Sequence, residues 1–283
     1  MDNIIIEKVI NNNIISAYEK SGAEVIVMGR GIGFKKKQGE MVPADQISKI
    51  FRIKSRTLAE QFKELLANMP LERVRISDEI ISHAKDHLKL KLNQSIYVTL
   101  TDHINSAVAR YREGIALKNM MKIDIRKFYP KEYQVGMHAI EWIKEQTGED
   151  LGDDEAAFIA MHIVSAELNA QNITDVNQIT ELINTVLQIV RIHFKIDLNE
   201  ESISYERFLT HLKFFAARVF DHMEYKDTMQ EIYKVMVEQN ENAFSGVKKI
   251  AEYIKKQYNY KLTIDEQLYL LIHIKRILDE QTK

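Results

Sequence analysis

Cysteine is absent from this sequence of 283 residues, and proline is rare, with three residues. Without cysteine the chain has neither disulfides nor thiolate metal ligands, which suits a reducing compartment. No apolar run reaches the roughly 18 residues that a membrane-spanning helix needs, so we expect no stable membrane insertion. The first residues, MDNIIIEKVINNN, lack the basic start and small-residue cleavage site of a secretory signal. We therefore expect a soluble, cytoplasmic protein.

An excess of charge of either sign is also missing, because the net charge is only −2. Residues 1–54 nevertheless carry nine Lys and Arg against six Asp and Glu, a net charge of +3, which leaves −5 for the remainder. The N-terminal part is therefore the candidate for contact with an anionic partner. The length suggests two or three domains, since one domain usually takes about 100–200 residues.

Glycine is scarce except in one short region. Half of the ten glycines lie between residues 22 and 39, among short β-branched runs such as IIIEKVI, NIISAYE and AEVIVMG. Short β-branched runs separated by Asn and Gly are typical of an antiparallel sheet. We predict a small all-β domain of four strands over residues 1–56. Because so small a domain buries little surface, we expect it to dimerise.

From Ser55 onward apolar residues recur at intervals of three and four, which predicts helices throughout the remainder. Pro70, Pro130 and the turn-rich segments TGEDLGDD and DLNEES mark breaks between helices. Internal similarities, such as HLKLKLN at 87–93 with HFKIDLN at 193–199, indicate a tandem duplication. The sequence thus predicts two all-α helical bundles, residues 57–172 and 173–283.

The duplication repeats four histidines with their neighbours. His103 and His211 are each followed, seven residues later, by an arginine, Arg110 and Arg218. Seven helical residues rotate by about 700°, so histidine and arginine share a face, and the arginine is placed to support a negative charge there. A solvated helix face is the alternative explanation for these arginines.

The other two histidines, His162 and His273, lie in the apolar stretches FIAMHIV and YLLIHIK, seven residues after Glu155 and Glu266. The segment from Thr263 to Glu266 has the pattern of a capping box, and Gly152 to Glu155 is its weaker analogue, so we expect both acids to start helices. Core histidines without a function are the alternative for His162 and His273.

Imidazole suits metal ligation, acid–base catalysis and acceptance of a phosphoryl group. Zinc favours clustered ligands, and the close pair His83 and His87 lies outside the duplicated pattern, on what we expect to be a solvated helix face. No G-x-S-x-G or P-loop motif is present. Phosphoryl acceptance remains, and we predict no metal, no cofactor and no enzymatic activity.

The N-terminal motifs VINNN and VMGRGIGFKKKQG combine amides, glycines, a basic run and one aromatic, which favours a nucleic-acid surface. The alternative is a solvated turn at Lys35–Lys37 with Phe34 in the core. A nucleotide-binding loop is a weak reading of GRGIGF, since nothing follows it with the required spacing.

These motifs, followed by two histidine-bearing repeats, resemble the BglG/SacY/LicT-type transcriptional antiterminators of bacteria over the entire chain. The resemblance implies a dimeric RNA-binding domain that holds an mRNA leader hairpin and prevents formation of a terminator. It implies RNA contacts by residues in both motifs: Lys8, Asn11, Asn12, Asn13, Gly29, Arg30, Gly31 and Phe34.

The same resemblance implies control by the sugar phosphotransferase system. His103 and His162 would be phosphorylated through a sugar-specific enzyme II, which inhibits, and His211 and His273 by the carrier HPr, which activates. Two alternatives stay open: a DNA-binding activator with the same regulatory domains, and a histidine phosphocarrier. A DNA-binding activator should begin with a helix-turn-helix, which the glycine-rich β pattern does not resemble.

Overall fold

The N-terminal part of the chain folds as an antiparallel sheet. The computed structural model describes residues 4–19, 22–170, 172–221 and 228–281. The sheet has five strands in the order β4-β1-β2-β3-β5. The strands are β1 (Ile4–Asn11), β2 (Ile14–Tyr18), β3 (Glu24–Met28), β4 (Met41–Val42) and β5 (Lys49–Phe51). We predicted four strands. The structure adds a fifth because β4, of only two residues, pairs with the start of β1.

Both faces of this sheet carry apolar side chains, because β2 and β3 are buried along almost their whole length. One face packs on the loop residue Ile32 through Ile15, Ala17 and Val27. The other face packs on a helix. It contacts α1 (Arg56–Ala67) through the buried residues Ile14, Ile26, Met28 and Phe51 on the sheet and Ala59, Phe62 and Leu66 on the helix.

The rest of the described chain is helical, as predicted. Helices α2 to α6 form the first repeat: α2 (Leu71–Leu88), α3 (Ile96–Arg112), α4 (Lys122–Phe128), α5 (Pro130–Thr147) and α6 (Asp153–Leu168). Helices α7 to α11 form the second: α7 (Ile173–Phe194), α8 (Ile203–Asp221), α9 (Gln230–Gln239), α10 (Glu241–Tyr258) and α11 (Ile264–Gln281). None of these helices is both long and apolar enough to cross a membrane.

The expected helix breaks are confirmed. Pro70 immediately precedes α2, and Pro130 is the first residue of α5, where its missing N–H costs no hydrogen bond. Gly148, with φ of 80°, ends α5 within TGEDLGDD, and DLNEES lies between α7 and α8.

The chain packs into two compact units, residues 1–169 and 170–283. In the first unit the sheet and the first helical repeat lie together. Lys49 on β5 forms an ion pair of 2.9 Å with Asp78 on α2, and Gln94 donates a hydrogen bond to the carbonyl of Arg52. The second unit contains the second helical repeat.

Candidate functional site: paired histidines and a candidate nucleic-acid interface

The first repeat brings its two histidines together. His103 lies on α3 and His162 on α6, and their ring centroids are 4.7 Å apart. Phe158, one turn before His162, packs on the His103 ring at 5.8 Å. Both histidine segments have an aromatic residue four positions before the histidine. In the first repeat this residue, Phe158 on α6, contacts the ring of His103 on α3.

Glu155 joins this histidine pair to the predicted arginine. Its carboxylate contacts Nε2 of His103 at 2.9 Å with one oxygen and accepts a hydrogen bond from Nη2 of Arg110 at 3.0 Å with the other. Glu155 lies in the first turn of α6, as expected for an acid that starts the helix. Its two carboxylate oxygens, however, bind side chains of α3. Arg110 lies on the same face of α3 as His103, as predicted, and the carboxylate of Glu155 contacts both side chains.

The second repeat forms a matching pair. His211 on α8 and His273 on α11 have ring centroids 4.8 Å apart, and Tyr269 packs edge-on against His211 at 4.8 Å. The duplicated pattern in the sequence therefore corresponds to a duplicated site in the structure.

The acid of the second site is held differently. The expected capping box is confirmed: Glu266 accepts from the Thr263 amide at 3.0 Å, and its own amide donates to the Thr263 hydroxyl at 3.2 Å. The hydroxyl of Tyr260 donates to the same carboxylate at 2.9 Å. Arg218 is farther away than its counterpart, with its Nε 3.6 Å from Glu266. Glu266 is thus bound to its own helix start.

Burial favours the neutral form of three of the four paired imidazoles. Burial, reinforced by the nearby His103, lowers the pKa of His162 well below its usual value. Burial, with His211 and two arginines nearby, lowers the pKa of His273 to about 4. Burial and Arg218 also lower the pKa of His211. A neutral imidazole has a nitrogen lone pair, which is the group that attacks phosphorus in phosphoryl transfer.

One nitrogen of each deeper ring is enclosed and has no hydrogen-bond partner among the described residues: Nε2 of His162 and Nδ1 of His273. Nε of Arg110 is in the same condition. Buried polar atoms without partners are rare in folded proteins and are often functional. The unpaired nitrogens indicate a site that binds a polar group. They argue against the alternative that these side chains are only part of the core. No group of His, Asp or Glu in the described ranges has the geometry to hold a metal ion.

The two N-terminal motifs meet at one end of the sheet. The turn after β1 accepts hydrogen bonds from the glycine-rich loop, from the Gly29 amide to the Asn13 carbonyl at 3.0 Å and from the Gly31 amide to Oδ1 of Asn13 at 2.9 Å. Gly33 approaches the turn so closely that a Cβ there would lie 2.4 Å from the Asn11 carbonyl oxygen. The glycines therefore allow the loop to pack on the asparagine turn.

Several predicted RNA-contacting side chains are exposed beside this junction. Asn12 and Arg30 are exposed, and Phe34 is 56% exposed, which argues against a core role for this aromatic ring. Lys35 lies over the Phe34 ring, with Nζ 5.3 Å from its centroid. An exposed aromatic beside a basic group is a suitable surface for stacking an unpaired base.

Not all predicted contact residues lie on this surface. Lys8 is exposed on β1 but lines a separate cleft with Lys54, Arg56 and Lys63. Asn11 is half-buried, and its side-chain amide donates to the carbonyl of Leu66 on α1 at 2.8 Å. Asn13 and Arg30 face a cleft that is also lined by Glu72 and Glu79 of α2.

Sequence reasoning missed two features. It assigned only capping to Glu155, although the recurrence of the acid in both repeats was a signal for a shared site. It also treated His83 and His87 as a solvated pair. His87 is exposed, but His83 is half-buried. The centroid of the His83 ring lies 4.0 Å from that of His87 and 5.0 Å from that of Trp142. Burial, together with His87 and His138, lowers the pKa of His83.

Comparison with known proteins gives the class of the molecule. Residues 4–60 match the CAT RNA binding domain, and residues 78–166 and 184–277 each match the PRD domain. The chain is therefore an RNA-binding domain followed by two copies of a regulatory domain.

Relatives of similar length define the family. The chain is 46% identical to the transcription antiterminator LicT of Bacillus subtilis over 97% of this chain and 99% of that protein. It is 38% identical to the beta-glucoside operon antiterminator of Dickeya chrysanthemi, over 98% and 99%. The crystal structure of GlcT CAT-PRDI matches with a TM-score of 0.52 and 36% identity, covering 59% of this chain and 99% of that one. The chain belongs to the family of transcription antiterminators with CAT and PRD domains, whose members are named as regulators.

Proposed function

We propose that this antiterminator binds a hairpin in an mRNA leader and so prevents formation of the overlapping terminator. The observation that carries the RNA-binding part is the exposed junction of the asparagine turn and the glycine-rich loop, with Arg30 and Phe34 beside it. Such a surface suits a helical RNA with unpaired bases, because amide edges read bases, Phe34 stacks and Arg30 contacts phosphate. The remaining predicted contacts are Lys8, Asn11, Asn12, Asn13, Gly29 and Gly31.

The sheet is proposed to act as a homodimer. Three large apolar side chains are exposed next to one another on neighbouring strands: Ile5 is 53%, Tyr18 48% and Met41 58% exposed. Ile5 pairs across the strands with both Tyr18 and Met41. A second copy covering this patch would enlarge the buried surface of a domain with a small core, and it would place two RNA-binding surfaces along one hairpin.

Regulation is proposed to act through the two histidine pairs. His103 and His162 would accept phosphate through a sugar-specific enzyme II and inhibit the protein. His211 and His273 would accept phosphate from HPr and activate it. The close pairing of the rings, the adjacent arginines and the enclosed nitrogens that lack partners among the described residues support phosphoryl acceptance at these histidines. The donors and the opposite signs are those that the resemblance to the family implies. We also propose that residues 1–56 form the RNA-binding domain, that residues 57–172 form the inhibiting regulatory domain, and that residues 173–283 form the activating one.

The physical effect of phosphorylation is electrostatic. Each phosphoryl group adds about −1.5 to −2 charges, which attracts arginines and repels carboxylates or a second phosphate. In the first pair, new negative charge would appear next to the buried Glu155. In the second pair, it would appear near Arg218, whose partner Glu266 is already bound to Thr263 and Tyr260. The two sites therefore need not respond in the same direction.

Site mapping combined with RNA binding tests the proposal. The full chain is incubated with HPr, its phosphorylating enzyme and an enzyme II preparation, and each phosphoform is mapped and assayed on hairpin RNA. We expect phosphate on the paired histidines and different RNA affinities for the two classes of phosphoform. Absence of incorporation at all four histidines would defeat the regulatory part. Equal affinity for hairpin RNA and duplex DNA would defeat the RNA-binding part.

A further inference from the structure

The hydrogen bond between His103 and Glu155 distinguishes the two ring nitrogens of His103. Nε2 of His103 lies 2.9 Å from a carboxylate oxygen that is ionised, because the contacts from His103 and Arg110 outweigh burial and lower the pKa of Glu155. An ionised carboxylate only accepts hydrogen bonds, so Nε2 must carry the proton. In the neutral ring, Nδ1 is then left with the lone pair. It makes no hydrogen bond within the described residues, and it is not among the enclosed atoms.

We propose that Glu155 is a positioning residue that makes Nδ1 of His103 the atom that accepts the phosphoryl group, whereas His211 has no such orienting carboxylate among the described residues. This inference rests on the proposed phosphorylation of His103, and it adds which atom reacts and what determines it.

The reaction is balanced without a proton transfer from His103. The Nδ1 lone pair forms the new N–P bond as the bond between phosphorus and the donor breaks, and the donor leaves with that electron pair. The Nε2–H stays in place. The phosphorylated ring gains positive charge, which the carboxylate of Glu155 next to Nε2–H stabilises, as an orienting carboxylate does for a histidine base. Arg110, at 3.0 Å from the same carboxylate, keeps Glu155 ionised.

Two nitrogens of residues that neighbour the His103–Glu155 pair have no partner among the described residues. Nε of Arg110 and Nε2 of His162 are both enclosed and without a partner, and the His162 ring is 4.7 Å from that of His103. A phosphoryl group supplies three strong acceptor oxygens. A nitrogen that carries a proton and lacks a partner is a suitable donor to such an oxygen.

The second repeat supplies a natural contrast. There Glu266 accepts from Tyr260 and from the Thr263 amide, and His211 makes no hydrogen bond with the described residues. Neither tautomer of His211 is fixed by a carboxylate. We therefore expect His103 to give one phosphohistidine isomer and His211 to give the ordinary distribution of an unrestrained imidazole.

The tautomer is measured first, without any phosphoryl donor. In the ¹⁵N-labelled full chain, the ring nitrogens of His103 are assigned by comparison with His103→Asn. We expect the neutral form of the ring to carry its proton on Nε2 and to leave Nδ1 unprotonated. In Glu155→Ala this preference should be lost, and Glu155→Gln serves as a second variant that keeps the volume of the buried side chain. A protonated Nδ1 in the unmodified protein would overturn the proposal.

The acceptor atom is measured with phosphoramidate, a small donor from which ammonia leaves. Phosphopeptides containing His103 are compared with the two phosphohistidine isomers. We expect the Nδ1 isomer in about tenfold excess, as one charge-assisted hydrogen bond can produce, and a collapse of that excess in Glu155→Ala. The matched variant Glu266→Ala should not change the isomer ratio at His211. A predominant Nε2 isomer, an unchanged ratio in Glu155→Ala, or no reaction at His103 would each count against the proposal.

The choice of donor separates this inference from the proposed function. If phosphoramidate gives the Nδ1 isomer but the phosphotransferase proteins do not label His103, the positioning role of Glu155 stands and the proposed donor is wrong. If the phosphotransferase proteins label Nε2, the proposed regulation stands and the role of Glu155 is wrong.

Discussion

At the scale of residues, burial of the deeper histidine of each pair makes the fold sensitive to acid. His273 is 5% exposed and its pKa is lowered to about 4, so the folded protein resists its protonation. The unfolded chain, in which histidine has its ordinary pKa, does not. Protonation therefore favours the unfolded state, so the folded protein loses stability as the pH falls.

We predict a corresponding pH dependence of the free energy of unfolding. The contribution of His273 is fully present above its usual pKa of 6.5 and is lost as the pH falls towards about 4. The shift of about 2.5 pKa units corresponds to about 3.5 kcal/mol as an upper limit, since one unit is about 1.4 kcal/mol. Denaturant titrations of the unmodified protein and His273→Asn between these pH values measure the difference. His87→Asn, which removes an exposed histidine, is the control. Parallel curves for the unmodified protein and His273→Asn would contradict the prediction.

A second residue-scale prediction concerns Arg30. Its side chain is exposed beside the junction of the two motifs and lines the cleft with Asn13. Arg30→Ala should weaken binding of hairpin RNA by about 1–3 kcal/mol if Arg30 contacts a base edge, and less if it contacts only phosphate. Gel shifts at matched salt measure the affinity, and far-ultraviolet circular dichroism checks the sheet. Unchanged binding would remove Arg30 from the interface.

Sequence reasoning at this scale succeeds for local contacts and fails for distant ones. Thr263 and Glu266 are three residues apart, so their capping box could be predicted from the pattern alone. His103 and Glu155 are 52 residues apart, and their contact depends on how α3 packs on α6. The same acid in the same pattern therefore has different partners in the two repeats.

At the scale of elements, α5 and α6 pack so closely that a glycine is required. A Cβ on Gly136 of α5 would lie 2.1 Å from the carbonyl oxygen of Ala156 on α6. Ala156 follows Glu155 directly. The helix that carries Glu155 and His162 is therefore positioned by a backbone contact that tolerates no side chain on α5.

Gly136→Ala is predicted to destabilise the protein by about 1–3 kcal/mol, the usual cost of overpacking, despite the better helix propensity of alanine. The free energy of unfolding from urea titrations checks this. Gly246→Ala is the control, because its added Cβ would meet the side chain of Phe194, at 2.6 Å, and a side chain can move. Equal losses in the two variants would argue against a special role for the contact between α5 and α6.

The elements themselves follow largely from the sequence. Pro70, Pro130 and the segments around Gly148 and Asn199 were correctly read as helix breaks, because proline and glycine act on the local backbone. The strand β4 was not predicted. Two residues are too few to show the alternation of apolar and polar residues that marks a strand. The strand forms because its residues pair with the edge of β1.

At the scale of the molecule, the first unit places the candidate RNA-binding surface against helices. Asn11 donates its side-chain amide to the carbonyl of Leu66, and Arg30 shares a cleft with two acids of α2. These residues belong to separate predicted domains. Their proximity therefore could not be predicted from the sequence pattern of either domain alone. We therefore predict that RNA competes with the helical part of the same chain for Arg30.

The acids of this cleft provide the test. Glu72 and Glu79 are exposed on α2 and lie where RNA phosphates would approach Arg30. The double variant Glu72→Gln and Glu79→Gln should bind hairpin RNA more tightly, by up to about fivefold per charge at low salt, and the gain should shrink as salt screens the charges. Glu64→Gln, which removes an exposed charge on α1 outside the cleft, is the matched control. If it raises the affinity as much as the cleft variants, the effect is net charge, and the helical part does not compete locally with RNA.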